Sequence, residues 1–528
     1  MRSFLVFFSC IILLPILNGQ SDDVPAEISW GEELREPSGT YISKLVSYGS
    51  WGFFALRKKE DGAFTKEAAY IERYDADMNL KKSKKLDLKY KGKKRAFEDL
   101  VLIGGELYLF TSFNNRAKNK NYLFAQKISR KRLIPEKKLN KVGEIDSRNE
   151  YRTGQFDIEI SKDSSKVLIY NQLPYKKREP ERFALRVFDD QLELAWEKDI
   201  VLPYNDELFE VKEYQVDNEG NIYILGVLYG NRSRTQRNGL PTYQYIILTY
   251  ADQGETVREY KINLREKFIT DLTFQIDRNR NLVCSGFYSE KSAHGVKGTY
   301  FFRLNPVTEE LIDVNTKEFD FEFRSAVLSR SGVKRAQRAE KKDDRRREPE
   351  LYRYSLDDLI LRTDGGALLI AEQYYVNERM YRYWDGGIRY DYFYNYNDII
   401  VVNVRPNGEI EWTARIPKRQ ETMNDGGYYS SYSKAIVRDR IYFVFNDNDR
   451  NYDGERNPKR LYNFNGKYSV IAVTELRKDG SSTTYPLFRN SDAAVITRPK
   501  ICKQIGLRRM IIFGERGRTY RFGSLDFD

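Results

Sequence analysis

The sequence predicts an all-β fold: a single β-propeller of about eight four-stranded blades, with seven as the alternative count, whose last blade is closed by the N-terminal strand. Three observations carry this expectation. An apolar strand recurs along the whole chain. Turns rich in Asx and Gly precede many of its copies. A strand motif found inside two repeats also stands alone at the N-terminus.

The recurring strands are WGFFAL (51–56), GELYLF (105–110), SKVLIY (165–170), GNIYIL (220–225), NLVCSG (281–286), GALLIA (366–371), RIYFVF (440–445) and RMIIFG (509–514). Most are followed by a variable loop, a third apolar strand, a turn and a fourth strand, as in FALRVFDDQLEL and YIILTYADQGET. The turns before them include Asp217-Asn218-Glu219-Gly220 and Asp364-Gly365-Gly366, residue types that tolerate the positive φ of a tight hairpin. Four antiparallel strands in roughly 55–60 residues make one propeller blade. The 39 tyrosines, 30 phenylalanines and 31% charged residues suit half-buried strands with solvated edges.

Closure follows from three segments. Glu193-Leu194-Ala195-Trp196 and Glu409-Ile410-Glu411-Trp412 each read as the fourth strand of a unit. Glu27-Ile28-Ser29-Trp30 has the same pattern and no unit before it. The C-terminal unit supplies three strands, near 493–501, 508–516 and 519–527, and then stops. The N-terminal strand is the missing fourth, so Trp30 is expected in one sheet with residues 519–527. Such a ring has no free sheet edge. Two packed all-β domains are the competing architecture.

Residues 1–20 read as a cleaved signal peptide: Arg2, an apolar run from Phe4 to Leu17, then Asn18-Gly19-Gln20. The run is shorter than the ~20 residues of a spanning helix, and no second apolar span follows. The mature domain, residues 21–528, is therefore expected to be exported to the periplasm or the extracellular space, without a transmembrane segment and as a monomer. An uncleaved N-terminal anchor is the alternative. The net charge of +12 suits an anionic partner, and export argues against nucleic acid. Of three cysteines, Cys10 leaves with the signal. Cys284 and Cys502 fall in non-neighbouring blades, which predicts buried free thiols and no disulfide.

The chain resembles secreted β-propeller proteins of Gram-negative bacteria. The segments IIVVNVRPNGEIEWTARIPK (399–418) and MIIFGERGRTYRFG (510–523) carry the resemblance, which spans nearly all of the mature chain. It implies the propeller fold and export, and it implies no activity.

Signals for chemistry are few. The single histidine, His294, sits in a hairpin loop, so a histidine-rich metal site is excluded by count. Asp449, Asn451, Asp453 and Gly454 form D-x-N-x-D-G, the start of a calcium loop, but the twelfth position is Arg460 rather than a bidentate Glu. Calcium is the one cofactor the sequence suggests, and a solvated polar hairpin is the plainer reading. Residues 374–396 form a Tyr-rich insertion expected to interrupt blade six between its second and third strands. Tyr381, Tyr383, Trp384, Arg389, Tyr392 and Tyr394 are its candidate ligand- or partner-binding residues, because aromatic rings stack on sugars or anchor protein partners. Residues 324–350 are a charged inter-blade insertion with a short helix, either a basic patch for an anionic surface or a solvated excursion.

The resulting functional expectation is a non-catalytic binding or scaffold propeller engaging an envelope protein or a glycan. The alternative is a polysaccharide-acting enzyme, a hydrolase or lyase, using carboxylates, Tyr and Arg at the channel mouth. Such chemistry calls for two carboxyl groups facing each other about 5–10 Å apart.

Overall fold

Apolar strands joined by Asx/Gly turns fold into eight antiparallel sheets of four or more strands, with three two-stranded ribbons beside them among the described residues. The computed structural model describes residues 24–59, 67–90, 92–147, 155–173, 178–264, 266–326, 328–342, 344, 347–382, 387–466 and 468–528. Residues 1–20, expected to be a signal peptide, together with Cys10, Tyr383 and Trp384, lie outside the described residues. Seven sheets are continuous units: blade 1 (41–85), blade 2 (96–146), blade 3 (155–205), blade 4 (209–262), blade 5 (268–318), blade 6 (354–416) and blade 7 (432–489). Blade 8 combines residues 496–527 with the N-terminal strand. All eight apolar strands aligned in the sequence are second strands of their blades.

The burial pattern explains the strand sequences. Each sheet is covered on both faces by its neighbours, so central strands read as unbroken apolar runs, such as the fully buried Phe53-Phe54-Ala55-Leu56. Fourth strands lie on the rim and expose side chains such as Val201, Val257 and Leu311. The connecting turns are held locally. Asp217 Oδ1 accepts from the backbone N–H of Glu219 and Asn221, both at 2.9 Å, and Gly220 takes a φ of 91°.

Eight hydrophobic cores lie between consecutive blades, and they close into a ring. Leu56 and Ile71 of blade 1 pack with Leu100 and Leu109 of blade 2, and the sequence continues to blades 7 and 8. The eighth core joins Phe513 and Phe522 of blade 8 to Ile42 and Phe53 of blade 1. This architecture is one propeller rather than two domains.

The closure is the expected one. The strand Ala26–Trp30 runs antiparallel to Thr519–Phe527, with Ala26 opposite Phe527 and Trp30 opposite Gly523. Behind it, Arg57 is fully buried and binds Glu72 of its own blade at 2.8 Å and Glu36 of the closing segment at 2.7 Å, with its guanidinium 4.6 Å from the ring centre of Tyr520 in blade 8.

One expectation needs correction. The first strand of blade 8 is not continuous over 493–501. It is split into Ile496–Thr497 and Lys503–Gln504 by a 3-10 turn, Pro499–Ile501, and Pro499 has no N–H to give to a ladder. The shared Trp motif does not imply a shared side-chain position. Trp196 donates to the Gly220 carbonyl at 3.0 Å and Trp412 to the Lys478 carbonyl at 2.8 Å, so both reach the following blade. Trp30 instead lies edge-on to Phe488 of the preceding blade, at 5.5 Å. The ladders of Trp196 and Trp412 each contain a bulge beside the Trp, and the ladder of Trp30 is regular. One extra residue turns a side chain to the opposite face. Cys284 and Cys502 are buried and unbridged, as expected.

Candidate functional site

Strand order places the variable segments on one face. In a four-stranded blade, the link between the second and third strands and the link to the next blade lie at the same end. Blade 6's long hairpin, the 324–350 insertion, the loop of His294 and the 449–468 loop are all links of these kinds. They therefore share one face of the ring with one mouth of the central channel.

The Tyr-rich segment does not interrupt blade six. The second and third strands run straight through it, as Ala367–Arg382 and Ile388–Val404, and a bulge between Glu372 and Tyr374 marks where they leave the sheet. Directly paired residues share a face of a ladder, and faces alternate along each strand. One face of the hairpin carries Tyr374, Val376, Met380, Ile388, Tyr390, Tyr392, Tyr394 and Tyr396, with Glu378 and Arg382 among them. Of these, Met380 is 59% exposed, Ile388 50% and Tyr390 47%. The other face is more polar, though Tyr375, Tyr381 and Phe393 lie on it: Arg389 binds Asp391 at 2.7 Å, and Arg379 sits 4.3 Å over Phe393. The proposed binding residues are therefore split. Tyr381 and Arg389 pair on the polar face, and Tyr392 and Tyr394 lie on the aromatic one. The neighbours that complete the aromatic face, Met380, Ile388 and Tyr390, follow from strand register, which the segment's composition does not supply.

The hairpin is firmly rooted. The strand Glu421–Met423 adds to its edge, and Asn424 exchanges bonds of 2.9 and 2.8 Å with the Tyr392 backbone. At its base Lys418 is buried, with Nζ 2.6 Å from Glu372, 2.7 Å from the Tyr396 carbonyl and 3.0 Å from Gln420.

Two helices occur here: Phe321–Ser325, which leads into the charged insertion, and Arg330–Glu340 within it, capped by Ser329. Its exposed side carries Arg330, Lys334, Arg335, Arg338, Lys341 and Lys342. Arg324 differs: it is buried, 2.9 Å from Glu318 and 3.5 Å from Glu340, and anchors the insertion to blade 5. His294 is exposed. Within the calcium-like segment, Asn451 is buried; its Oδ1 accepts from Tyr462 N at 2.8 Å and its Nδ2 donates to Asp447 at 2.7 Å. Asn451 thus serves as a loop staple on the 3-10 turn Asp449–Tyr452, which Asp449 opens and Asp453 follows.

The first strands line the channel, and its charge is polarised. Blades 2 to 6 contribute Glu98, Glu159, Glu213, Asp271 and Asp357; blades 7, 8 and 1 contribute Lys434, Lys500, Lys503 and Lys44. Burial raises all five carboxyls, Glu159 to about 7 and Asp271 and Asp357 to about 6. At the mouth, between blades 3 and 4, opens a cavity of ≈ 1090 Å³ lined by Asp157, Tyr170, Glu181, Asp206, Tyr214 and Arg232. The Glu181 and Asp206 carboxyls share a hydrogen bond, and burial together with this contact pushes Glu181 up to about 8. That separation is closer than the 5–10 Å of a glycosidase pair. Nothing in the sequence singled these residues out, because nearly every blade carries Asp or Glu near strand ends.

No protein-family model matches this chain, and no curated protein does. Solved propellers are similar to it at low identity. The β-propeller domain of the trilobed protease from Pyrococcus furiosus, described as having an open velcro topology, is 11% identical with a TM-score of 0.34, covering 85% of this chain and 98% of that one. The Dos1 propeller is 10% identical with a TM-score of 0.39, covering 94% and 95%. Prolyl oligopeptidase B from Galerina marginata is 9% identical with a TM-score of 0.32; 77% of this chain covers 55% of that one. The assignment to the β-propellers rests on the eight sheets and the ring of cores described above.

Proposed function

We propose that this chain is an exported, non-catalytic scaffold propeller of the cell envelope, and that the hairpin of blade 6 docks a protein partner. The observation that carries this reading is the aromatic face of the hairpin. Tyr374, Met380, Ile388, Tyr390 and Tyr392 are each more than a third exposed and lie on one side of a firmly rooted two-stranded paddle. Tyr, Met and Arg are the residue types enriched where proteins meet, and exposed apolar patches mark interaction sites. Arg382 on the same face and the basic helix Arg330–Glu340 on the same side of the ring favour a partner whose apolar patch has an acidic rim.

The test is affinity purification from the native envelope, followed by reconstitution of the candidate complex from purified components. Tyr390→Ser with Tyr392→Ser is expected to weaken the reconstituted complex about 30-fold or more, as loss of a central aromatic anchor costs ~2 kcal/mol. A complex that forms equally well with both substitutions overturns the reading. Fractionation of the tagged protein into cytoplasm rather than envelope or medium overturns the export half of it.

A further inference from the structure

We infer that the cavity between the first strands of blades 7 and 8 is a binding site for a phosphate group, held by Lys500, Lys503 and the hydroxyl of Ser433. It does not rest on the partner proposed for the hairpin.

A break in a strand creates the site. Pro499 has no N–H to give to a ladder, so the first strand of blade 8 turns through Pro499–Ile501 before it resumes at Lys503. In an extended strand, residues three apart point to opposite faces. A tight 3-10 turn brings residues three apart back to one side. Lys500 and Lys503 accordingly reach the same space, and both line a cavity of ≈ 470 Å³ at the channel wall. Ser433 and Lys434 of blade 7 and Asp357 of blade 6 line it too.

The donors of this lining are not fully used. Lys434 is committed to Asp358 at 2.7 Å, and Asp357 accepts from the Tyr432 hydroxyl at 2.7 Å. Lys500 donates to a neutral partner, the Tyr396 hydroxyl, at 2.9 Å. Lys503 has no ion-pair partner among the described residues; beside it are the Tyr48 ring, 5.5 Å from the ammonium, and the like charge of Lys44. Burial holds both ammoniums below the ordinary lysine range, and a bound anion relieves that cost. Ser433 is a further donor. It is 7% exposed, and its hydroxyl meets two sulfurs, the Met510 thioether at 3.5 Å and the Cys502 thiol, both weak acceptors.

These donors select the ligand. The ammonium of lysine acts as a point charge and suits phosphate, whereas a planar carboxylate is matched by the guanidinium fork, which this lining lacks. A phosphate group on a small molecule carries about two negative charges and three acceptor oxygens. Two ammoniums and one hydroxyl answer both. The volume leaves room for an organic part beside the phosphate. Asp357 keeps one oxygen outside its bond to Tyr432 and can accept from a hydroxyl of that part, which favours a polyol or a sugar.

The probes are inorganic phosphate, glucose 6-phosphate and glucuronate, titrated calorimetrically into the purified full chain at neutral pH. Saturable binding of a phosphate probe is expected, with glucuronate at least tenfold weaker. Tighter binding of glucose 6-phosphate points to a phosphorylated small molecule, and equal or tighter binding of inorganic phosphate to the free ion. Lys503→Met is expected to weaken binding tenfold or more, and Ser433→Ala several-fold, in protein whose circular dichroism is unchanged. In the wild-type chain, a saturating phosphate probe is expected to shield Lys500 and Lys503 from acetylation by acetic anhydride, read by peptide mass spectrometry, and to leave the exposed Lys162 of blade 3 reactive. That measurement keeps the test valid if a variant fails to fold. No binding of either phosphate probe at millimolar concentration, or glucuronate binding as tight as theirs, overturns the inference. So does an affinity unchanged in folded Lys503→Met, or acetylation of Lys503 that the bound probe does not slow.

Discussion

Replacement of Lys418 by Met tests how the hairpin is held to the ring. The Lys418 ammonium is buried and donates to Glu372, to the Tyr396 carbonyl and to Gln420 at 2.6–3.0 Å. Glu372 is itself 3% exposed and keeps one further bond, from Ser431 at 2.7 Å. Lys418→Met preserves the stem of the side chain and removes only the charge and its donors. It leaves a buried carboxylate with a single neutral partner, a loss of about 3–5 kcal/mol. An unfolding entropy of roughly 2.1 cal/mol/K per residue, taken over 528 residues, converts this to a Tm decrease of about 3–5 °C. Adding Glu372→Gln removes the stranded charge, so the double variant is expected within about 1–2 kcal/mol of the parent, because a buried ion pair gains little net stability over a neutral replacement. The assay is denaturant unfolding of the parent, both single variants and the double variant, analysed as a cycle. If the double variant is destabilised by the sum of the singles, the pair is not coupled and this account of the hairpin root is wrong.

Other predictions concern titration and thiol chemistry. Glu181, raised to about 8, Glu159, to about 7, and Asp271 and Asp357, to about 6, all titrate above the ordinary carboxyl range, mainly because of burial. Between pH ~4.5 and 8 the folded chain therefore holds more protons at these sites than the unfolded chain, and their contribution to stability falls as pH rises across that window. Tm is expected to increase from pH 8 to pH 5.5, with Glu181→Gln flattening the upper part of the slope; a Tm that rises with pH over this range contradicts the assignment. Burial also lifts the thiols, Cys502 to about 12. Neither Cys284 nor Cys502 is expected to react with a thiol reagent in the native state, and both should react in guanidinium. Rapid labelling of native protein would show that the blade cores are open.

The repeat was legible because a blade strand covered on both faces must be continuously apolar, and such runs are visible without any partner. Closure was legible for a related reason: Glu27-Ile28-Ser29-Trp30 had a strand pattern with no unit to belong to, and three C-terminal strands lacked a fourth. The direction in which Trp30 points was not legible. It depends on the absence of a bulge that the Trp196 and Trp412 ladders both contain, and a bulge is a relation between two strands.

The same distinction separates the two candidate sites. Composition alone drew attention to residues 374–396. Only the register of the Tyr374–Tyr396 ladder sorted them into an aromatic face and a polar one, splitting Tyr381 and Arg389 from Tyr392 and Tyr394. Lys500, Lys503 and Ser433 are ordinary residues in the first strands of two blades. What makes them a site is the 3-10 turn that brings both lysines to one side, and the meeting of blades 7 and 8, which sets a serine hydroxyl beside them with only sulfur for a partner. The sequence by itself determined the fold, because burial of each strand is written in its own residues. The tertiary structure decided the chemistry, because charge, exposure and hydrogen-bond satisfaction at these positions belong to pairs of blades and to no segment alone.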